Sequence, residues 1–150
     1  MNIRARLTAL GLLLPLALAG CGILPKKSET AIYTPLPMLQ PDPAWPSTRA
    51  KLVVVRPTAA KLIDSSRILV RPVPGEVQVY AGAVWVQPAP DMLQDTVVRL
   101  LEDSGKTAGV MRRGGGIAGE YDLVMDVRRF DADYAAGAAP AAVIEVSASL

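Results

Sequence analysis

The chain has 150 residues, a formal net charge of +2, one cysteine and no histidine. Arg4 and Arg6 account for two of its 16 Lys+Arg, so the chain from Cys21 onward carries 14 basic and 14 acidic residues. A chain with no net charge lacks the excess of Lys and Arg side chains whose contacts with phosphates give nucleic-acid affinity. The missing histidine removes the commonest general base, the commonest metal ligand and every Ser-His-Asp triad. We therefore expect no nucleic-acid binding, no metal site and no enzymatic activity.

The first 20 residues have the pattern of a secretory signal peptide. Arg4 and Arg6 precede an apolar run from Leu7 to Leu18, and small residues follow, as they do before a signal cleavage site. The apolar run is too short to span a membrane, which takes about 20 residues. The run ends in four residues that resemble the bacterial lipobox at every position: Leu18, Ala19, Gly20 and Cys21.

The lipobox resemblance implies a lipid anchor on Cys21. It implies cleavage before Cys21, a diacylglyceryl group on the sulfur and an acyl chain on the freed amine, with no other cofactor. Stable anchoring takes about two such chains. In the enterobacterial pattern that this resembles, an aspartate directly after the cysteine retains a lipoprotein at the inner membrane. This chain has Gly22 at that position. The resemblance therefore implies the periplasmic face of the outer membrane.

Residues 21–50 are predicted to be a lipidated linker, and residues 51–150 a single α+β domain. The linker holds six prolines, which favour extended chain over helices and central strands. Within it, Thr30–Thr34 is β-prone and predicts an edge strand that Pro35 ends. The prolines are Pro25, Pro35, Pro37, Pro41, Pro43 and Pro46.

The first half of the domain predicts short strands separated by prolines and turns. Ala59–Ile63 favours one or two helical turns, Ser65 and Ser66 are turn formers, and Ala81-Gly82 is expected to break a strand. The predicted strands are Lys51–Arg56, Arg67–Arg71, Glu76–Tyr80 and Ala83–Gln87.

One strong helix follows. Pro90 suits its first turn, Asp91 complements its N-terminus, and Gly105 is expected just after its C-terminus. An apolar stripe is opposed by a polar face, so we expect the helix to lie across one face of the sheet. The stripe is Leu93, Val97, Leu100 and Leu101, and the polar face is Asp95, Arg99 and Glu102, with an Asp95–Arg99 pair. Met92 is expected at the surface edge and Met125 in the core.

The last third predicts a strand at Ala108–Arg112 and then a long hairpin. Tyr121–Val127 alternates, Arg128-Arg129 shifts the phase as a bulge would, and Val143–Leu150 alternates again. Asp131–Ala141 is expected to be the turn between them. The resulting fold class is α+β, a mainly antiparallel sheet with a helix packed on one face. Because the strand pattern is still running at Leu150, we expect the domain to be truncated at its C-terminus.

Two motifs have simpler explanations than ligand binding. Gly114–Gly119 matches G-x-G-x-x-G by letter, but a strand rather than a helix follows it, so a hairpin loop is favoured over a phosphate site. Asp131 and Asp133 lack the further ligands of a calcium loop and are better explained by a solvated turn.

Tyr80 and Trp85 are of residue types enriched at interfaces. They are candidate partner contacts, and packing of Trp85 under the helix is an equally good explanation.

Several stretches together resemble the ABC-type transport auxiliary lipoproteins. The stretches are Leu62–Ile68, Pro74–Tyr80, Trp85 and Asp91–Asp95, within a resemblance that covers roughly Tyr33 to Leu150. The family is similar to the lipoprotein subunits of mammalian-cell-entry (MCE) transporters, which implies a sheet with helices mainly on one side.

The resemblance implies a non-enzymatic role in moving lipids or other hydrophobic solutes across the envelope. The implied partners are an MCE-domain protein with its ABC permease and ATPase, and ring-like homo-oligomers would fit. The alternative is an envelope-structural lipoprotein that binds peptidoglycan or assists outer-membrane assembly. A periplasmic hydrolase is disfavoured because no base and nucleophile set exists.

Overall fold

The computed structural model describes residues 29–35, 37–114, 118–135, 137 and 139–150. Within them, eight strands form a sheet that one helix covers in part. The strands are β1 (Ala31–Tyr33), β2 (Lys51–Val54), β3 (Thr58–Ala59), β4 (Arg67–Arg71), β5 (Gln78–Trp85), β6 (Gly109–Arg112), β7 (Tyr121–Asp133) and β8 (Ala141–Ser149). The helix is α1 (Ala89–Ser104).

Strand β7 organises the sheet, because it pairs with neighbours along both edges. On one edge β2, β3 and β4 follow one another, all parallel to β7. On the other edge β8 is antiparallel. Beyond these, β6 lies parallel to β2, β5 antiparallel to β4, and β1 parallel to β5.

The α+β class is confirmed, but the expectation of a mainly antiparallel sheet is wrong, since the sheet is mixed. Residues 51–71 run alongside β7 in the same direction, so a single chain segment supplies three parallel pairings. Alternation of side chains shows which face of a strand is buried. It carries no signal for the direction of the neighbouring strand, and this is why the prediction failed.

The connection from β6 to β7 is a crossover rather than the hairpin loop expected at Gly114–Gly119, of which residues 115–117 lie outside the described residues. Strands β6 and β7 flank β2 on opposite edges and both run parallel to it. The chain must therefore pass over β2 between them. Gly119 makes this passage close: a Cβ there would lie 2.5 Å from Val53 Cγ2 and 3.0 Å from the Lys51 carbonyl oxygen. The Glu120 N–H donates to the same carbonyl at 2.9 Å.

The predicted bulge at Arg128-Arg129 is confirmed by a register shift between Val127 and Arg129. The predicted start of the turn is wrong, because β7 continues to Asp133 and pairs it with Ala141. Charged residues misled the prediction, since Asp131 and Asp133 look like turn formers but are neutralised by arginines inside the sheet.

Strand β5 is continuous where a break was expected. Gly82 adopts φ 72°, and the β4–β5 register slips between Arg67 and Leu69. A glycine accepts this backbone conformation at little cost, so the extra residues form an irregularity within the strand. The expected helical turns at Ala59–Ile63 are replaced by β3 and a hydrogen-bonded turn, in which the Ile63 and Asp64 N–H groups donate to Ala60 O.

Helix α1 has the predicted position. Its second residue is Pro90, its first turn holds Asp91, and Gly105 follows at φ 60° with its N–H donating to Glu102 O at 3.1 Å. Val98 of the helix packs with Val54 and Met125 of the sheet in the buried core. Three more helix residues, Leu93, Val97 and Leu101, pack against this cluster.

Three details of the helix differ from expectation. Val98, which was not in the predicted stripe, is the helix residue in the core cluster, and Leu100 of the stripe is not among the residues that pack against it. Met92 is buried rather than at the surface edge. Asp95 accepts hydrogen bonds from Arg112 at 2.8 Å and Gln87 at 2.9 Å instead of pairing with Arg99. The Asp95 difference arises because Arg112, the last residue of β6, and Gln87, just after β5, lie against the helix. Periodicity within the helix cannot show such contacts.

Candidate functional site

Trp85, at the end of β5, forms the aromatic contact of the sheet with Phe130 of β7. The two ring centroids are 6.0 Å apart and the planes are nearly perpendicular, at 85°. Such edge-to-face pairs add about 0.5–1.5 kcal/mol beyond the area they bury. The Trp85 Nε1 is buried and has no hydrogen-bond acceptor among the described residues. The indole is thus packed on the sheet, and its contact with a partner stays a prediction.

Tyr80 lies on the same strand but is not brought together with Trp85. The irregularity at Ala81-Gly82 separates them, and Val79 pairs with Leu69 whereas the Trp85 N–H donates to Ser66 O at 2.7 Å. The Tyr80 side chain is 52% exposed. Its ring is therefore available for a contact from solvent, and this role also stays a prediction.

A shallow groove of about 160 Å³ runs between the proline-rich segment and α1. Leu39, Val86 and Met92 contribute apolar surface, while Asp95, Arg99 and Asp103 line it from the helix. Sequence reasoning missed this groove because it treated residues 34–39 as linker. The signal that could have found it is the apolar content of that segment, which a solvated linker does not need.

A charged cluster joins β4 and β7. The Arg71 Nε donates to Asp131 at 3.0 Å, and the Arg129 guanidinium donates to Asp131 and Asp133 at 2.7 Å each. The Asp131 side chain is only 2% exposed. Burial alone would raise the pKa of Asp131, but the hydrogen bonds from Arg129 and Arg71 outweigh it and lower the pKa. The predicted solvated turn is thus a neutralised cluster inside the sheet.

Arg56 forms a second cluster at the start of α1. Its guanidinium donates to both Asp91 oxygens, at 2.6 and 3.0 Å, and to both Asp64 oxygens, at 2.7 and 3.2 Å. The hydrogen bond from Arg56 lowers the pKa of Asp64, and the bonds to Asp91 and Asp64 raise the pKa of Arg56. This cluster fixes the turn before β4 against the first turn of the helix.

Neither cluster is arranged for catalysis or metal binding. Each carboxylate in them is held by an arginine, which competes with a cation for the same oxygens. Over the part of the chain that the structure describes, no group of three or more acidic or cysteine side chains is placed to hold a metal ion. The predicted lipobox residues Leu18, Ala19 and Gly20 and the predicted lipid attachment site Cys21 lie outside the described residues.

The described residues contain one helix, α1. Among them, no helix combines the length and the apolar character that crossing a membrane requires.

Comparison with known proteins places this arrangement among transport components. The sequence model of the family described as ABC-type transport auxiliary lipoprotein component matches residues 32–150. The crystal structure of protein XCC0632 from Xanthomonas campestris superposes with a TM-score of 0.73 at 54% identity, covering 79% of this chain and 66% of that one.

Two further matches have lower sequence identity and say less about what the chain does. A second crystal structure, of an uncharacterized protein, has a TM-score of 0.52 at 17% identity over 71% of this chain and 63% of that one, which shows the fold alone. The protein bll6063 of Bradyrhizobium diazoefficiens is 27% identical over 88 residues, or 59% of this chain. The chain spans 24% of that relative and 66% of the Xanthomonas chain.

Proposed function

Because the chain belongs to the family of ABC-type transport auxiliary lipoprotein components, we propose that it is a non-enzymatic, lipid-anchored subunit of an envelope transporter. The observation that carries the proposal is the family match, which extends over residues 32–150 and hence over the helix and every described strand except the first residue of β1. The sequence agrees with a role without chemistry, since it holds no histidine and its one cysteine is the predicted lipid site.

The anchor is Cys21. The four residues from Leu18 to Cys21 resemble a lipobox, and two or more acyl chains there would hold the protein on its membrane. With Gly22 rather than aspartate after the cysteine, the anchor lies in the outer membrane and the domain faces the periplasm.

The partner is an MCE-domain protein that works with an ABC permease and ATPase, and the cargo is a lipid or another hydrophobic solute. The ATPase supplies the energy at the inner membrane, and this chain receives or stabilises the end of the MCE assembly. Tyr80 is the better placed of the two predicted contacts because its ring is exposed. Trp85 is instead engaged with Phe130 of β7.

Affinity purification of the full-length lipoprotein from detergent-solubilised envelopes, followed by mass spectrometry, tests the proposal. We expect an MCE-domain protein together with its permease and ATPase. The Tyr80→Ala variant should recover less of this complex, and the matched control Tyr121→Ala should not, because Tyr121 is equally exposed but lies at the start of β7. Recovery of peptidoglycan fragments or of outer-membrane assembly machinery, without transporter subunits, would replace the proposal by a structural role in the envelope.

A further inference from the structure

The first strand of the sheet begins at Ala31, ten residues along the sequence from the predicted anchor at Cys21. Ile32 pairs with Val84 and Tyr33 with Trp85, and the Val86 N–H donates to the Tyr33 carbonyl at 2.9 Å. Strand β1 therefore belongs to the body of the domain, and only the residues between Cys21 and Ala31 remain to connect the domain to an acylated Cys21.

This connection limits how far the domain can stand from its membrane. An extended chain spans at most about 3.6 Å per residue, so ten residues reach no more than about 35 Å. If the connection is not fully extended, β1 lies nearer to the membrane than this limit. The edge of the sheet that β1 forms is consequently the part of the domain most constrained to the membrane side.

The surface at this edge is apolar and exposed. Residues 30–41 contain no charged side chain. Met38 is 99% exposed, and four further large apolar side chains, in β1, just after Met38 and just after β5, are at least half exposed. We call these residues the tether-side patch: Ile32, Tyr33, Met38, Leu39 and Val86. Its parts adjoin at Val86, which donates a hydrogen bond to Tyr33 of β1 and lines the same groove as Leu39.

We propose that the tether-side patch docks on the surface of the bilayer that holds the Cys21 anchor. This inference rests on the proposed lipid anchor. A bilayer fits the patch because its five side chains carry no charge to be desolvated on contact with lipid, and the charged Asp95, Arg99 and Asp103 line the adjoining groove from the helix side. Tyr33 is of the type that sits at a membrane interface, with an apolar ring and a polar tip. The short connection supplies the high local concentration that a patch of this size needs.

The acylated full-length protein, reconstituted in vesicles of phosphatidylethanolamine and phosphatidylglycerol, provides the test. Cys21 is the only cysteine and its sulfur would be acylated, so Met38→Cys gives one free thiol for an environment-sensitive fluorophore. Lipids carrying a spin-label quencher near the headgroup should quench this label at least about threefold more than the control label, because an interfacial segment sits ~5–10 Å into the headgroup region.

The matched control is Val124→Cys, whose site is 46% exposed on β7 and shares the same anchor. Equal quenching at both sites would overturn the docking, as would protection of Met38 that appears only when a partner protein is added. Replacing Leu39 and Val86 by glutamine should reduce the Met38 quenching to the control level. Mass spectrometry of Cys21 separates the two proposals: an unacylated cysteine overturns both, whereas an acylated protein with equal quenching overturns the docking alone.

Discussion

The two halves of β7 hold their neighbours in different ways. The helix-covered half, Tyr121–Val127, places Met125 and Val127 in the buried core, with α1 packed above Met125. The charged half, Arg128–Asp133, follows the register shift and joins β4 through Asp131 and its two arginines. One strand therefore changes from apolar packing to paired charges within a single bulge.

This difference shows what each kind of contact needs. Apolar packing needs a covering element, which α1 provides over β2 and β6. A buried carboxylate needs donors to offset its desolvation, and Arg71 and Arg129 provide them for Asp131 without a second helix. The stability of the charged half thus depends on particular side chains, whereas the stability of the helix-covered half depends on the side-chain volume that fills the core.

The largest effect is expected from Met125→Ala in the helix-covered half. Removing a buried side chain from a packed core costs about 2–5 kcal/mol, and Met125 is 4% exposed. Urea unfolding followed by circular dichroism measures it. Val124→Ala, on the other face of the same strand, should change the free energy of unfolding by no more than about 0.5 kcal/mol. Similar losses for both variants would mean that α1 does not create the difference between the faces.

In the charged half, Asp131→Asn should come next in size. It leaves Arg71 and Arg129 without their shared carboxylate, and because both arginines are partly exposed we expect a loss of about 2–3 kcal/mol, below the ~3–5 kcal/mol of fully buried pairs. Asp133→Asn is the control, since Asp133 is less buried and bonds only one arginine. If the control were as costly as Asp131→Asn, the burial of Asp131 would not be the cause.

The pH dependence of Asp131 follows from the same contacts. Its pKa is lowered from the ordinary 3.8 in the folded protein, so its contribution to stability is fully present above about pH 4 and is lost as the pH falls through the folded pKa. The gap in unfolding free energy between the natural protein and Asp131→Asn should therefore be constant near neutrality and shrink below about pH 4. A gap that widens on acidification would contradict the pairing.

These contrasts also explain what could be read from the sequence. Local signals were sufficient for α1, whose Pro90, Asp91 and Gly105 each occupy the expected place, and for the bulge after Val127. Strand direction, the crossover at Gly119 and the Asp131 cluster depend on residues far apart in the chain, such as Arg71 and Asp131. No pattern within one element encodes such pairs. The groove beside α1 was missed for a different reason, because the apolar residues of segment 34–39 were treated as linker.

The smallest effect is expected at Arg56, where similar chemistry is exposed. The side chains of Arg56, Asp64 and Asp91 are 44%, 34% and 31% exposed, and exposed pairs contribute about 0.2–1 kcal/mol each. Because Arg56 makes two such pairs, Arg56→Gln should cost no more than about 2 kcal/mol, and Arg99→Gln on the exposed helix face should cost less. At 1 M salt, where the screening length is about 3 Å, the Arg56→Gln loss should nearly vanish, whereas the Asp131→Asn loss should largely remain. Equal salt sensitivity of the two losses would show that burial does not separate the two clusters.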